Sequence, residues 1–322
     1  MSTMSYSQAY QAALGEEMER DPSIVILGTD LFIRGGHFAQ VKGLGAQFGV
    51  DRVRDTPISE AAMVAAGVGG ALNGLRPVVD LNFMDFAFGA MDEIVNQAAK
   101  ARYMWGRPVP LVIRATWGVA YGAAQHNNQI ESWFVNTPGL VVVAPSTPAD
   151  VKGLAKSALR GEDPVIFFMH KTLTGSKGEV PDGDYTVPFG RANVVRDGSD
   201  ITVVTYGGFV PKVIRAAEAA GELGVSAEVL DLRSLFPLDL PAVLASVERT
   251  GRLLVVSDAP RAGSVGSWVA AEVAEHAFNA LKAPVRHLSA AHSPIAHSPV
   301  LFQAQVPSDA RILEAIVAHT RS

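Results

Sequence analysis

Three segments of the chain carry residue types that could do chemistry. The first, DTPISEAAMVAAGVGG, places Glu60 in the first turn of a predicted helix, with Ser59 or a neighbour as its cap. A carboxylate there either complements the positive end of the helix or takes part in proton chemistry. Spacing alone leaves both interpretations open.

The second segment, DLNFMDFAFGAMDEIVNQ, runs from an apolar strand into Phe83, Phe86 and Phe88 before a helix begins. Aromatic side chains at such a loop usually pack in a core or an interface, because they bury large apolar areas. A flat platform for a cofactor ring is the alternative. The sequence pattern by itself favours packing.

The third segment, GVAYGAAQHNNQIESWF, is a loop rich in Gly and Ala that follows a predicted strand. It concentrates Gln125, His126, Asn127 and Asn128, and small residues beside them let a backbone approach a ligand. His126 is the strongest single candidate of the three segments. A structural hydrogen-bonding role remains open for it, since only a neighbouring group can tune a histidine for proton transfer.

The elements that position these segments follow an α/β pattern. Short β-branched runs alternate with helix-length stretches, which predicts parallel sheets with crossover helices and therefore two doubly wound domains. The predicted strands of the first domain are IVILG (24–28), RPVVDL (76–81), PLVIRA (110–115), LVVVAP (140–145) and PVIFFM (164–169). Ligands in such sheets collect beyond the carboxyl ends of the strands, where all three segments lie.

Two domains joined by a linker are expected. The first spans residues 1–175, the Gly- and Pro-rich linker residues 176–189, and the second domain residues 190–322. In the second domain, Asp197-Gly198 predicts a hairpin between RANVVR and DITVVTY. Ser146-Thr147-Pro148 predicts a helix start, and the Ala- and Gly-rich stretch from Glu60 to Leu75 predicts a helix packed on all sides.

Composition excludes several classes of function. With no cysteine among 322 residues, disulfides and thiolate chemistry are impossible, and the dispersed charges that sum to -5 argue against nucleic acid. No apolar run approaches the roughly 18 residues of a membrane span, so no membrane partner and a cytoplasmic location are expected. The spacing of His287, His292 and His297 fits no standard zinc motif. The high apolar share, 48%, suggests a large subunit interface.

The order of the motifs DTPISE, FMDFAFGAMDEIVNQAAK, AAQHNNQIESWF and PGLVVVAPSTPADVKGL resembles the beta subunits of thiamine-diphosphate-dependent 2-oxo acid dehydrogenases. AEVLDLRSLFPLD, LLVVSDAPRAGSVGS and HSPIAHSP extend the resemblance over nearly the whole chain. It implies a pyrimidine-binding domain followed by a transketolase C-terminal-type domain. It also implies oxidative decarboxylation of a 2-oxo acid with transfer of the acyl group to a lipoyl group.

The resemblance assigns roles to four residues. Glu60 matches the glutamate that hydrogen-bonds the pyrimidine ring of thiamine diphosphate and activates it, with Ile58 also at the cofactor. Phe86 matches the aromatic side chain lying against that ring, and His126 the histidine near the reacting carbon. The resemblance thus implies that residues of all three segments bind the cofactor or take part in catalysis.

The same resemblance implies which part of the cofactor another subunit binds, and which partner proteins the chain has. The sequence lacks the Gly-Asp-Gly stretch and the following Asn through which thiamine enzymes hold Mg²⁺ for the diphosphate. The resemblance therefore implies that an alpha subunit supplies this Mg²⁺ site in an α2β2 assembly. It also implies a lipoyl acyltransferase as the acceptor of the acyl group. A potassium ion held by backbone oxygens near ALRGED would involve Leu159 and Asp163, although Gly161 replaces the usual acid.

The substrate stays open. Thr29 and Phe236 also depart from the family pattern, HKTLTGSKGEVP is similar to acetoin-cleaving relatives, and FMDF is similar to branched-chain ones. The alternatives are an acetoin-cleaving or split transketolase-type subunit with the same cofactor, or a non-catalytic α/β binding subunit.

Overall fold

Residues 1–120 and 122–321 are described by a computed structural model, and they separate into two units. The first unit comprises residues 1–117 and 133–189, and the second comprises residues 118–132 with the chain from Gly190 onward. Tyr121 of the third segment and Ser322 at the end of the predicted second domain lie outside the described residues. Residues 118–132, which lie within the first domain predicted from the sequence, are thus grouped with the second unit. The predicted domain boundaries stay predictions.

Five of the eight strands of the first unit match the five predicted apolar runs within a few residues at each end, and the other three were not predicted. They are β1 (Ser2–Ser5), β2 (Ile24–Gly28), β3 (Val53–Asp55), β4 (Arg76–Phe83), β5 (Val112–Trp117), β6 (Val141–Val143), β7 (Val165–His170) and β8 (Lys177–Val180). The helices up to residue 189 are α1 (Tyr6–Arg20), α2 (Leu44–Phe48), α3 (Glu60–Leu72), α4 (Ala101–Trp105), α5 (Glu131–Val135) and α6 (Pro148–Arg160).

The main sheet of the first unit is parallel. Its own strands lie in the order β6, β7, β5, β4, β2, β3, while β1 and β8 pair separately as an antiparallel ribbon. Helices α1 and α6 pack against each other and contribute to one buried core with the strands. The predicted start of α6 is confirmed, because the Thr147 hydroxyl accepts the N–H of Asp150 at 3.1 Å.

Helix α3 approaches the sheet closely. A Cβ atom at Gly67 would lie 2.7 Å from a methyl group of Val79 on β4, so only glycine fits this contact without a shift. The opposite face carries Ala62, Ala65 and Ala66, which are exposed. The prediction of a helix packed on all sides is therefore wrong for the single chain, because alanine side chains leave an apolar face that no element of the unit covers.

The second unit contains another largely parallel sheet. Its strands are β9 (Asn193–Arg196), β10 (Ile201–Thr205), β11 (Ala227–Asp231), β12 (Ser234–Phe236), β13 (Leu253–Pro260) and β14 (Arg286–Ala290). Its helices are α7 (Val210–Glu222), α8 (Leu240–Thr250), α9 (Val265–His276), α10 (Pro299–Gln305) and α11 (Asp309–Thr320). The sheet order is β14, β13, β10, β11, β9, with only β9 antiparallel to its neighbour. The predicted α/β class of both domains is confirmed.

The predicted hairpin at Asp197-Gly198 is wrong. Strand β9 pairs with β11 instead of β10, because the connection crosses the start of β11. Ser199 and Asp200 both donate their N–H groups to the carbonyl oxygen of Ser226, at 3.0 and 2.8 Å. Within residues 1–120 and 122–321, no helix is long and apolar enough to cross a membrane.

Candidate active site

Glu60 is the first residue of α3, as predicted. Ser59 occupies the cap position, but its side chain makes no capping hydrogen bond. The Glu60 side chain is partly exposed, and Ile58, two residues earlier, is an apolar side chain with 78% of its surface exposed. This turn therefore presents a carboxylate next to an uncovered apolar group at the positive end of a helix.

The aromatic segment lies against the same helix. Residues 84–90 form a 3₁₀ turn that contacts α3, and Phe86 on this turn is 38% exposed. Its ring meets Phe83 edge to face, with centroids 6.1 Å apart, and Phe83 meets Phe38 in the same manner at 5.5 Å. His37 lies 5.7 Å from Phe83, measured between ring centroids. Phe86 and His37 are thus the exposed members of an aromatic cluster (His37, Phe38, Phe83, Phe86).

A buried polar network lies inside the sheet, where Asp80 of β4 is paired with Arg114 of β5. Arg114, fully buried, donates from Nη1 to both carboxylate oxygens of Asp80, at 3.1 and 3.2 Å. Asp80 also accepts the N–H of Asn82 at 2.9 Å and the Nε2 of Gln40 at 2.8 Å. Gln40 in turn accepts the N–H of Phe38 at 2.8 Å.

This network fixes both loops that carry the aromatic cluster. Asn82 has a φ of 59°, a left-handed conformation that is unfavourable for most residues, and its N–H bond to Asp80 supports that turn just before Phe83. Gln40 ties the loop with His37 and Phe38 to the same carboxylate. The Asp80 carboxylate therefore links the two segments that carry Phe38 and Phe83.

His126 belongs to the second unit by its contacts. It ends a short 3₁₀ turn, Ala124–His126, and its N–H donates to the carbonyl oxygen of Ala123 at 3.1 Å. The buried Asn127 amide closes this loop, since its Oδ1 accepts the N–H of Ala120 and its Nδ2 donates to the Ala123 carbonyl, both at 2.8 Å. Of the polar residues predicted from the sequence in this loop, Asn127 therefore has a structural role. Gln125 and Asn128 are exposed.

The segment predicted to hold potassium contains another cation. Nη1 of Arg76 donates to the carbonyl oxygens of Leu159 and Gly161, at 3.1 and 2.6 Å, and the Asp163 carboxylate pairs with Arg102 at 2.5 Å. The Arg76 guanidinium therefore already contacts the Leu159 carbonyl oxygen, and the potassium site stays a prediction. Among residues 1–120 and 122–321, no three acidic or histidine side chains converge as metal ligands.

His287 is a packed side chain of the second unit. A Cβ atom at Gly266 would lie 2.6 Å from its ring, so the absence of a side chain at this glycine allows the close packing. Burial, with a smaller effect of Arg261, lowers the pKa of His287 to about 4. The imidazole is neutral at physiological pH.

The buried residues Asp80, Arg114 and Gln40 were not predicted from the sequence. A usable signal existed, because Asp80 and Arg114 interrupt apolar strands of a parallel sheet that helices are expected to cover on both faces. Charges in such strands are buried and must pair. The register of β4 and β5, which sets Asp80 beside Arg114, was not readable from the sequence.

Comparison with known proteins defines the class to which this geometry belongs. The family model of the transketolase pyrimidine-binding domain matches residues 2–177, and that of the transketolase C-terminal domain matches residues 190–312. A solved structure titled split gene transketolase, inactive beta4 tetramer, superposes with a TM-score of 0.83 over 99% of both chains at 24% identity. The chain is therefore a two-domain protein of the transketolase type.

Relatives narrow this class to a family. The beta subunit of acetoin:2,6-dichlorophenolindophenol oxidoreductase from Cupriavidus necator is 46% identical, covering 97% of this chain and 96% of its own. The beta subunit of 2-oxoisovalerate dehydrogenase from Bacillus subtilis is 45% identical, covering 90% of each. The chain belongs to the family of beta subunits of 2-oxo acid and acetoin dehydrogenases, whose cofactor is thiamine diphosphate.

Proposed function

We propose that the chain is the beta subunit of a thiamine-diphosphate-dependent 2-oxo acid dehydrogenase, in which Glu60 activates the cofactor. The observation that carries this proposal is the position of Glu60 at the start of α3, two residues after the exposed Ile58, on a helix that contacts the turn carrying Phe86. A helix-dipole role alone would not require the exposed apolar neighbours.

The residues present fit the pyrimidine half of the cofactor. When bound, thiamine diphosphate supplies the carbon nucleophile for the 2-oxo acid and accepts electrons as carbon dioxide leaves. Glu60 would hold a proton at a pyrimidine ring nitrogen, which requires a carboxyl group within hydrogen-bonding distance. Phe86 and Ile58 would cover the ring with apolar surface and exclude water. His126 would orient substrate or move a proton during acyl transfer.

The diphosphate half would come from a partner. We propose that an alpha subunit holds Mg²⁺ and the diphosphate in an α2β2 assembly, because the sequence contains no Gly-Asp-Gly stretch for this purpose. The relatives are named as beta subunits, which supports a separate alpha chain. A lipoyl acyltransferase is the proposed acceptor, and a cytoplasmic location is proposed with it.

A second candidate reaction is the cleavage of acetoin. The relative named for acetoin and the relative named for 2-oxoisovalerate are 46% and 45% identical to this chain, so similarity does not separate the two substrates. Both reactions would use the same cofactor, Glu60 and Phe86. They differ in whether the substrate carries a carboxylate.

The test combines the chain with its alpha partner, thiamine diphosphate and Mg²⁺. Pyruvate, branched-chain 2-oxo acids and acetoin are supplied in turn, and reduction of an artificial electron acceptor is followed. Glu60→Gln is expected to lower turnover at least about 100-fold with the best substrate, because the amide cannot exchange a proton with the ring. Turnover of acetoin alone would favour the second candidate.

Glu93→Gln is the matched control. Glu93 is another partly exposed acid in the first turn of a helical segment of the same unit, so its loss tests the effect of charge alone. It should leave turnover unchanged. Full activity of Glu60→Gln in a correctly assembled enzyme would contradict the proposed role.

A further inference from the structure

The second unit has a sheet position at which open α/β folds bind their ligands. Strand β10 has β11 on one side and β13 on the other, and all three run parallel. The chain proceeds from β10 to β11 and only later crosses back to β13, so the direction of winding reverses between β10 and β13. Ligands of such sheets bind in the crevice beyond the carboxyl ends of these two strands.

In this chain, residues at that place contact the chain's own segment 118–132. Tyr206, which follows β10, donates its hydroxyl to the Glu131 carboxylate at 2.8 Å, and both side chains are buried. Asp258, in β13, accepts the N–H of Val119 at 2.9 Å. The Val119 side chain belongs to the buried core of the second unit. The segment is thus held near both of its ends.

The hydrogen bond from Tyr206 is not weakened by ionisation at ordinary pH. Burial, followed by the nearby carboxylates of Glu131 and Asp258, raises the pKa of Tyr206 well above its ordinary value. The phenol therefore remains a donor. Between the two attachment points, the Asn127 amide closes the turn that ends at His126.

We propose that Tyr206 and Asp258 are positioning residues for His126, and that the second unit uses its ligand-binding crevice to hold the 118–132 segment. The catalytic part of this inference rests on the proposed role of His126. In this proposal the sheet of the second unit contributes to the reaction by positioning His126, although neither Tyr206 nor Asp258 is proposed to contact substrate. The 118–132 segment occupies the position at which other sheets of this kind bind a ligand.

The first experiment measures peptide-resolved amide hydrogen exchange of the full chain. Tyr206→Phe keeps the ring and removes only the donor, so exchange in 118–132 is expected to rise roughly tenfold. Thr202→Val is the matched control, since Thr202 makes two buried hydroxyl contacts, to Ser246 and Thr250, at the amino end of the same strand. It should leave exchange in 118–132 unchanged.

Asp258 supplies an independent check. Asp258→Ala should loosen the segment as Tyr206→Phe does, whereas Asp258→Asn keeps an oxygen that accepts the Val119 N–H and should restore most of the protection. Equal loosening by Thr202→Val, or unchanged exchange in Tyr206→Phe, would overturn the proposal that the crevice holds the segment.

The second experiment tests positioning in the enzyme assembled with its alpha subunit. Tyr206→Phe is expected to lower turnover roughly tenfold, because small displacements of a catalytic group are costly. In a His126→Ala background the same change should have no further effect, whereas a merely structural role would lower turnover equally in both backgrounds. If His126→Ala itself leaves turnover intact while exchange rises in Tyr206→Phe, the proposed role of His126 fails and the holding of the segment stands.

Discussion

Replacing Arg114 by methionine should destabilise the first unit more than any change at an exposed ion pair. The substitution keeps most of the side-chain volume but removes the guanidinium from a carboxylate, Asp80, whose exposed fraction is 1%. Of the groups that now satisfy Asp80, only the Asn82 N–H and the Gln40 amide would remain. Breaking a buried pair in this way costs about 3–5 kcal/mol of unfolding free energy.

Two further variants calibrate this value. Asp80→Leu combined with Arg114→Met removes both charges and should recover most of the loss, since an apolar replacement of a buried pair is often neutral. Arg215→Met breaks an exposed pair with Asp309, 2.8 Å long, and should cost less than about 1 kcal/mol. The chain has two units that need not unfold together, so hydrogen exchange is the appropriate assay. It is read on the amides of β4 and β5 for the Arg114 variants, and on the amides of β10 and β11 for Arg215→Met. A cost of Arg114→Met no larger than that of Arg215→Met, or no recovery in the double variant, would refute the proposed contribution of the buried pair.

Two other predictions concern packing and pH. Gly67→Ala should destabilise the first unit by about 1–3 kcal/mol, because its Cβ would lie 2.7 Å from Val79. Gly69→Ala in the same helix has open space around the new Cβ and should stabilise the unit by about 0.5–1 kcal/mol; hydrogen exchange of the β4 amides in both variants measures the difference. His287 has its pKa lowered from 6.5 to about 4 by burial and by Arg261, so the folded second unit binds fewer protons than the unfolded chain. The neutral imidazole therefore contributes up to about 3 kcal/mol to the unfolding free energy above pH 6.5, and this contribution is lost as the pH falls to 4. His287→Gln should abolish this pH dependence, which urea titrations at several pH values would measure.

The α/β architecture could be predicted from the sequence, and candidate site residues could be predicted from its resemblance to the family. Apolar runs such as IVILG and PVIFFM became strands because parallel sheets bury both faces, and the Thr147 cap was readable from local chemistry alone. The hairpin at Asp197-Gly198 failed because strand pairing depends on a distant partner, β11, that local turn chemistry does not specify. The same limit applies to the site, since Asp80 and Arg114 are 34 residues apart and meet only through the register of β4 and β5.

The exposed groups of the first unit have a shared energetic consequence. Ile58, Phe86 and the alanine face of α3 leave apolar surface uncovered around Glu60, and each such group is stabilised when another surface removes it from water. Covering them would also lower the local dielectric constant around the carboxylate and strengthen any hydrogen bond that it makes. The proposed alpha subunit would therefore do more than supply Mg²⁺. By covering this face it would turn Glu60 from a hydrated acid at a helix start into the proton-holding group that the proposed reaction requires.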